Sequence, residues 1–347
     1  IEVAPRFELW DQDHKIPCEL GNRQVFGENG GPGGLFHSLR IVPPILEICE
    51  DIQKVCPNAF FINFSNPMSR ICLAIKRKFP RLKFVGLCHE YHHFKLHFSR
   101  ILDTPLSNLE IKAGGLNHFG VVLEINYKDT GKDAYPDLRQ KGPEYLKSLK
   151  IVDVDLNRYI LEKFGYIPYT TDSHFGEYIQ WAWDIADILG TRRFKENYIE
   201  VITYEGNKIE KLIKKGKGAR LVKPDEERAI PIIEGIIKDS NHIEASVNLP
   251  NNDVITNLPK DLVVECPAVV NKEGLKAIKL GDFPKGLAAL FRNQASVQDM
   301  VVEAILTQSK EIALQALLVD PVIHSCEQAE KILEEMMHAQ SKYLPLK

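Results

Sequence analysis

The sequence predicts an α/β fold, a doubly wound sheet with crossover helices followed by a larger α+β segment. Three observations predict it. Phe60-Phe61-Ile62-Asn63-Phe64 is an apolar run that stops at Ser65-Asn66-Pro67, and Lys83-Phe84-Val85-Gly86-Leu87 is a second that stops at Cys88-His89-Glu90. Between them Met68 to Lys78 has helical spacing, so strand, crossover helix and strand form a βαβ unit. From residue 109 the pattern changes, first to alternating strands and then to long helices. Ligands of such sheets bind beyond the carboxyl ends of the strands. Cys88, His89 and Asn66 are therefore site candidates, joined after a third apolar turn by Gly114-Gly115-Leu116-Asn117-His118.

The elements follow in order. Residues 11 to 34 are polar and end in Gly30-Gly31-Pro32-Gly33-Gly34. These five loop-formers, Gly30 to Gly34, read either as exposed backbone amides free to adopt positive φ or as a mobile turn. A helix is expected next, with Leu35, Leu39, Val42, Leu46, Cys49 and Val55 near a 3.6 period and Pro43-Pro44 kinking or splitting it. Residues 92 to 102 read as helix and 109 to 127 as strands. Helical pattern runs from Leu146 to Leu189 with a break at Gly165-Tyr166-Ile167-Pro168. The basic stretch 205 to 226 (Lys208, Lys211, Lys214, Lys215, Lys217, Arg220) reads as a solvated loop. Ile230 to Ile237 reads as helix, Ala245 to Asn248 and Val254-Ile255 as short strands, and Ser296 to Ala339 as amphipathic helix broken at Pro321.

Composition narrows the function. In 347 residues, 44% apolar and 26% charged, Lys plus Arg (44) nearly balance Asp plus Glu (47). No global field favours nucleic acid or an anionic membrane, and no apolar run has membrane-spanning length, which leaves a small-molecule partner. The seven cysteines (18, 49, 56, 72, 88, 266, 326) are irregularly spaced and odd in number. That is not a disulfide framework, and it suits a reducing cytoplasm.

The candidate chemistry lies in four places. Cys88 and His118 form a borderline-soft donor pair for a divalent metal, although a spacing of thirty residues matches no compact motif and a buried Cys beside a hydrogen-bonded His reads as well. His93 and His97 share a helix face within a group that includes His89 and His92, without matching carboxylates. The amide of Asn66 suits a sugar hydroxyl or a helix cap. Asp172-Ser173-His174-Phe175-Gly176-Glu177-Tyr178 is the densest acid/base cluster of the second half, and also reads as a helix start.

Taken together, GGPGGLFHSLR from Gly30, NFSNPM from Asn63, GLCHE from Gly86, GGLNHF from Gly114, DSHFGEY from Asp172, NLPKDLVVECP from Asn257 and ALQALLVDP from Ala313 resemble glycoside hydrolase family 4, the NAD- and metal-dependent glycosidases. The resemblance implies a Rossmann-like sheet with its N-terminal part missing, at residues 1 to 112, then a catalytic α+β domain of the lactate/malate dehydrogenase-like type at 113 to 347. It implies Cys88 and His118 as ligands of Mn2+ or another divalent metal, and Asp172 as the base with Tyr178 as the alternative. It further implies Asn66, His89, Asn117, Arg40 and Arg292 as substrate contacts, and Asn63, Gly33 and Gly34 as NAD contacts. Cys88-His89-Glu90 resembles the α-glucosidase branch, since phosphosugar enzymes have Asp or Asn where His89 stands. Tyr91, in place of a small aliphatic residue, leaves the α-galactosidase and uronic-acid branches open.

The mechanism implied by the resemblance departs from the two-carboxylate scheme of ordinary glycosidases. NAD oxidises the sugar at C3, a base removes the C2 proton, the aglycone leaves by elimination, and water addition and reduction restore the sugar and the cofactor. A lactate/malate-type dehydrogenase and a non-catalytic chain are the alternative readings. The family's Gly-rich strand-turn-helix is not found in these residues. Ile1-Glu2-Val3 reads as the end of a strand already under way, with on the order of 80 residues of the first half expected elsewhere. A homodimer or homotetramer in the cytoplasm is expected.

Overall fold

In a computed structural model of the protein, residue 3 and residues 6–149, 153–217 and 227–346 are described. Helices α1 (Phe7–Glu19) and α2 (Gly31–Val55) lead into β1 (Phe60–Asn63), α3 (Met68–Lys78) and β2 (Lys83–Gly86). Then α4 (Glu90–Leu102) precedes β3 (Leu109–Leu116) and β4 (Phe119–Tyr127). Helices α5 (Tyr135–Ser148), α6 (Asp155–Phe164), the single turn α7 (Asp172–Phe175), α8 (Ile188–Lys214) and α9 (Ala229–Lys238) follow. Strands β5 (His242–Pro250), β6 (Val263–Asn271) and β7 (Gly274–Ala277) come before α10 (Lys285–Thr307), α11 (Lys310–Val319) and α12 (Cys326–Ala339).

The βαβ unit forms as the sequence predicts. Residues Met68 to Ile75 of α3 are all buried, and its last turn is Lys76-Arg77-Lys78, cations that suit a helix C-terminus. Strands β1 and β2 pair in parallel from Phe60 with Lys83 to Asn63 with Gly86. The peptide between Asn66 and Pro67 is cis. One seven-stranded sheet runs β1-β2-β5-β6-β3-β4, with β7 beside β6. Every pairing beyond β1 and β2 is antiparallel. The fold is thus a Rossmann-like βαβ continued by an antiparallel α+β segment. A core of α2 and α3 side chains such as Phe36, Leu39 and Ile71 includes Val301, Leu317 and Ile332 of α10 to α12, so the two ends of the chain share one interior.

Four segments differ from the sequence reading. Residues 7 to 19 are helical although 11 to 34 read as polar loop. The inward positions of α1 are Leu9, Trp10, Asp13, His14 and Pro17, a helical spacing hidden because two of them are polar. Pro43 and Pro44 do not split α2: the backbone bonds they remove are outweighed by the burial of Ile41, Val42, Ile45 and Leu46 on either side of them. Residues 205 to 214 are the last turns of α8 rather than loop, and 218–226, including Arg220, lie outside the described residues. Val254-Ile255 forms no strand and gives a single bridge from Ile255 to Gly281. The break at Pro321 falls between α11 and α12 as expected.

Candidate active site

A cavity of about 390 Å³ opens at the carboxyl ends of β1 and β2, with Phe64, Ser65 and Asn66 on one side and Leu87, Cys88, His89 and Glu90 on another. The register of β3 with β4 pairs Leu116 with Phe119, which makes Asn117-His118 the two residues of a tight turn. His118 occupies it at φ 60°, the left-handed region, a conformation non-glycine residues hold only where their surroundings fix it. The turn brings His118 Nε2 to 3.2 Å from Cys88 Sγ.

That separation fits a shared cation. The two donor atoms face each other closely enough to converge on one ion, and a thiolate with a neutral imidazole is a borderline-soft pair. Burial, with the nearby charge of His174, holds the His118 imidazole well below its ordinary value, so it stays neutral as a ligand must. Burial and the carboxylates of Glu265 and Glu90 push the Cys88 thiol well up, a shift that a bound cation opposes.

A third component comes from the turn before α2. Glu177 Oε2 accepts the backbone N–H groups of Glu28 at 2.5 Å, Asn29 at 2.7 Å and Gly30 at 3.2 Å. The turn so anchored puts Asn29 Nδ2 3.1 Å from His118 Nδ1 and sets the Glu28 carboxylate on the cavity wall. His174 Nδ1 stands 3.8 Å from Glu28 Oε2 and 3.6 Å from Glu177 Oε1. Burial raises the Glu28 carboxyl to about 7 against the pull of His174. Burial works against the His174 cation, but the carboxylates of Glu177, Glu90 and Glu28 outweigh it and hold the imidazole at about 9. Ligand atoms of Glu28, His118, His174 and Glu177 all lie within 4.8 Å of one another.

The other expected residues divide into two groups. Asn66 and His89 line the cavity. Asn66 Oδ1 is buried and has no hydrogen-bond partner among the described residues, an acceptor left over for a ligand hydroxyl. His89 Nδ1 lies 3.1 Å from Glu227 Oε1 at the rim. Asn117 donates to Glu265 Oε2 at 3.1 Å. Asn63 donates to the Ser65 carbonyl at 3.0 Å and shapes the turn that carries Ser65 and Asn66.

Six expected residues stand apart from the cavity. Both oxygens of fully buried Asp172 are taken by backbone N–H groups, of Leu156 at 2.8 Å and Asn157 at 3.1 Å, so it caps α6 instead of facing a substrate. Buried Tyr178 donates its hydroxyl to the Asn117 carbonyl at 3.2 Å and is not on the cavity wall. Arg40 is paired with buried Asp13 and donates to Gln340 Oε1, which ties α2 to α1 and the C-terminal segment. Exposed Arg292 donates to the Asn257 carbonyl at 3.1 Å. Gly33 and Gly34 are buried in the first turn of α2. A Cβ on Gly33 would sit 2.7 Å from the carbonyl oxygens of Asp13 and Gly27, and one on Gly34 2.5 Å from the Asn29 carbonyl carbon. These glycines let backbone pack on backbone rather than on a phosphate.

Glu28 and Asn29 were not legible as site residues. They directly precede the glycine run, which is their one local signal, and their importance comes from Glu177, about 150 positions away.

The chain matches two family models. That described as "Family 4 glycosyl hydrolase" covers residues 6–104, and that described as "Family 4 glycosyl hydrolase C-terminal domain" covers 113–323. An alpha-glucosidase of Erwinia rhapontici is 42% identical over 99% of this chain and 81% of its own length. An alpha-galactosidase of Bacillus subtilis is 29% identical over 89% of this chain and 71% of its own. Among solved structures, a 6-phospho-alpha-glucosidase from gut microorganisms in complex with NAD and Mn2+ has a TM-score of 0.84 at 23% identity, covering 99% of this chain and 81% of that one. That likeness establishes the shared fold. With both family models matched in order along the sequence and 99% of the chain aligned with the Erwinia relative at 42% identity, the chain belongs to glycoside hydrolase family 4.

Proposed function

We propose that this glycoside hydrolase cleaves α-linked, unphosphorylated hexosides, with an α-glucoside as substrate, and uses NAD and a divalent metal, manganese, as cofactors. The observation that carries the reading is 42% identity with the Erwinia alpha-glucosidase across 99% of the chain. The cavity supports it. Among the described residues no Lys or Arg lines it, the side chains that most often pair with a sugar phosphate or a uronic carboxylate.

Cys88 and His118 would hold the metal, and the strand-end residues Phe64, Ser65 and Asn66 the nicotinamide end of the cofactor. When bound, NAD accepts a hydride from a sugar carbinol and the metal acts as a Lewis acid toward the sugar oxygens. The chain's own groups do the rest. Asn66 Oδ1 accepts from a sugar hydroxyl, and His89 orients the ring from the rim. We assign proton removal from the sugar carbon to the Glu28 carboxylate, because it stands on the cavity wall, accepts from Asn29 Nδ2, faces the His174 imidazole, and is carried by a turn whose three backbone N–H groups Glu177 anchors. Asp172 and Tyr178 act through position: the first caps α6, and the second supports the turn that carries His118.

The division at residue 112 is, in our reading, one of function, with cofactor contacts before it and substrate contacts on both sides. A homodimer or homotetramer is supported by α8. Thr191 and Lys195 are its buried residues, and Ile202, Ile209 and Ile213 continue their stripe at helical spacing while 43%, 54% and 69% exposed. A second copy would cover them. A cytoplasmic location is supported by seven free cysteines and by the reduced thiol that metal binding needs.

The test is hydrolysis of p-nitrophenyl α-glucoside, α-galactoside and α-galacturonide, and of p-nitrophenyl α-glucoside 6-phosphate. The α-glucoside is expected to have the highest kcat/KM. Preference for the 6-phosphate would refute the reading, preference for the galactoside would move it to the sugar of the Bacillus relative, and stoichiometric release of reduced NAD without hydrolysis would favour a dehydrogenase.

A further inference from the structure

The cavity has two chemically different ends. One end presents Cys88, His118, Glu28 and Asn66. Four aromatic rings from three separate segments form the other: Trp10 of α1, Phe26 before α2, and Phe194 and Tyr198 of α8. Phe26 is their centre, with its ring centroid 5.3 Å from Trp10 in an edge-on arrangement, 6.4 Å from Phe194 and 5.4 Å from His174. Phe194 and Tyr198 are one helical turn apart with rings stacked at 6.3 Å.

Burial separates these rings by role. Trp10 and Phe26, at 3% and 2% exposure, are fixed supports, whereas Phe194 and Tyr198 keep 48% and 43% of their surface open at the cavity mouth. The polar end suits a sugar ring, whose hydroxyls need directional partners. A hexosyl ring fills on the order of 150 Å³ at interior packing density, so a sugar alone does not fill the cavity of about 390 Å³. The remaining space is bounded by aromatic faces, which select a group with a flat or C–H-lined apolar face.

We propose that Trp10, Phe26, Phe194 and Tyr198 form the aglycone subsite, and that it selects α-glycosides whose leaving group presents an apolar ring face, an aryl group or the C–H face of a second sugar. This rests on the glycosidase reading above and adds to it the class of leaving group. Phe194 is the ring that a ligand meets directly, held at its angle by Phe26.

The experiment uses ligands that are not cleaved, so that leaving-group acidity does not enter. Competitive inhibition constants are measured for phenyl and methyl 1-thio-α-glucoside on the wild-type holoenzyme, on Phe194→Ala and on Phe194→Tyr, with thermal melting to confirm folding. The wild type is expected to bind the phenyl compound about fivefold to tenfold more tightly than the methyl one, as an added aromatic contact gives. Phe194→Ala should bring that ratio to about twofold or less, and Phe194→Tyr should preserve it. A wild-type ratio near one, or a ratio unchanged in Phe194→Ala, overturns the subsite. If neither thioglucoside competes but the α-galactoside pair does, the glucose assignment fails while the phenyl-to-methyl ratio in that pair still decides the subsite. Competition by neither pair overturns it.

Discussion

At the scale of single residues, the site depends on two donors thirty positions apart that meet because one follows β2 and the other turns a hairpin. On the proposed reading the two would share a cation. Replacing Cys88 with Ser removes the soft donor. Cys88→Ser is expected to lose manganese, read by electron paramagnetic resonance, and to lower kcat/KM by on the order of 100-fold or more. Full activity of that variant with added manganese would contradict the ligand assignment. Glu28 is the second test. Glu28→Gln keeps size and hydrogen bonding but cannot accept a proton, so kcat should fall by roughly 10²- to 10⁴-fold with a small change in KM. A parallel loss in KM would make it a binding group instead.

At the scale of elements, Glu177 joins the short turn after α7 to the turn before α2 through three backbone N–H groups. Glu177→Ala leaves those donors buried without acceptors. The expected cost is about 1–3 kcal/mol in denaturant unfolding, and activity should fall because Glu28 and Asn29 lose their anchor. The cap on α6 gives a pH test. Burial pushes Asp172 to about 8 from an ordinary value of 3.8, against the pull of its two N–H partners. A carboxyl raised on folding binds more protons in the folded state than in the unfolded one. Its contribution is therefore full below about pH 4 and lost as pH rises toward 8, with a slope of at most about 1.4 kcal/mol per unit. Wild-type stability should fall with pH across that window relative to Asp172→Asn. Parallel pH profiles for the two proteins would contradict the shift.

The elements also show what was legible in the sequence. The βαβ unit and the site residues at its strand ends could be read because apolar runs stop abruptly at polar chemistry. Helix α1 could not, because its inward face carries Asp13 and His14. The family resemblance implies Asp172 as the base, and its cluster also reads as a helix start. The fold uses the acid as a cap, and a long-range contact brings forward Glu28, which has no local pattern.

At the scale of the whole molecule, the sheet places the strand ends of the parallel pair and the tip of an antiparallel hairpin over one cavity, while α8 closes it with aromatic rings and carries an uncovered apolar stripe beyond it. If a second copy covers that stripe, light scattering should give twice or four times the protomer mass, and Ile209→Glu should shift the protein toward the monomer. An unchanged mass in the variant would remove α8 from the interface.

The central claim is that this chain hydrolyses an α-glucoside only with both NAD and a divalent metal in place. The direct measurement is release of p-nitrophenol from p-nitrophenyl α-glucoside by protein stripped of cofactors, with NAD, manganese and a thiol reductant returned together and each omitted in turn. Turnover is expected with all three, and near-background rates when NAD or manganese is left out. Undiminished hydrolysis by the stripped protein would contradict it.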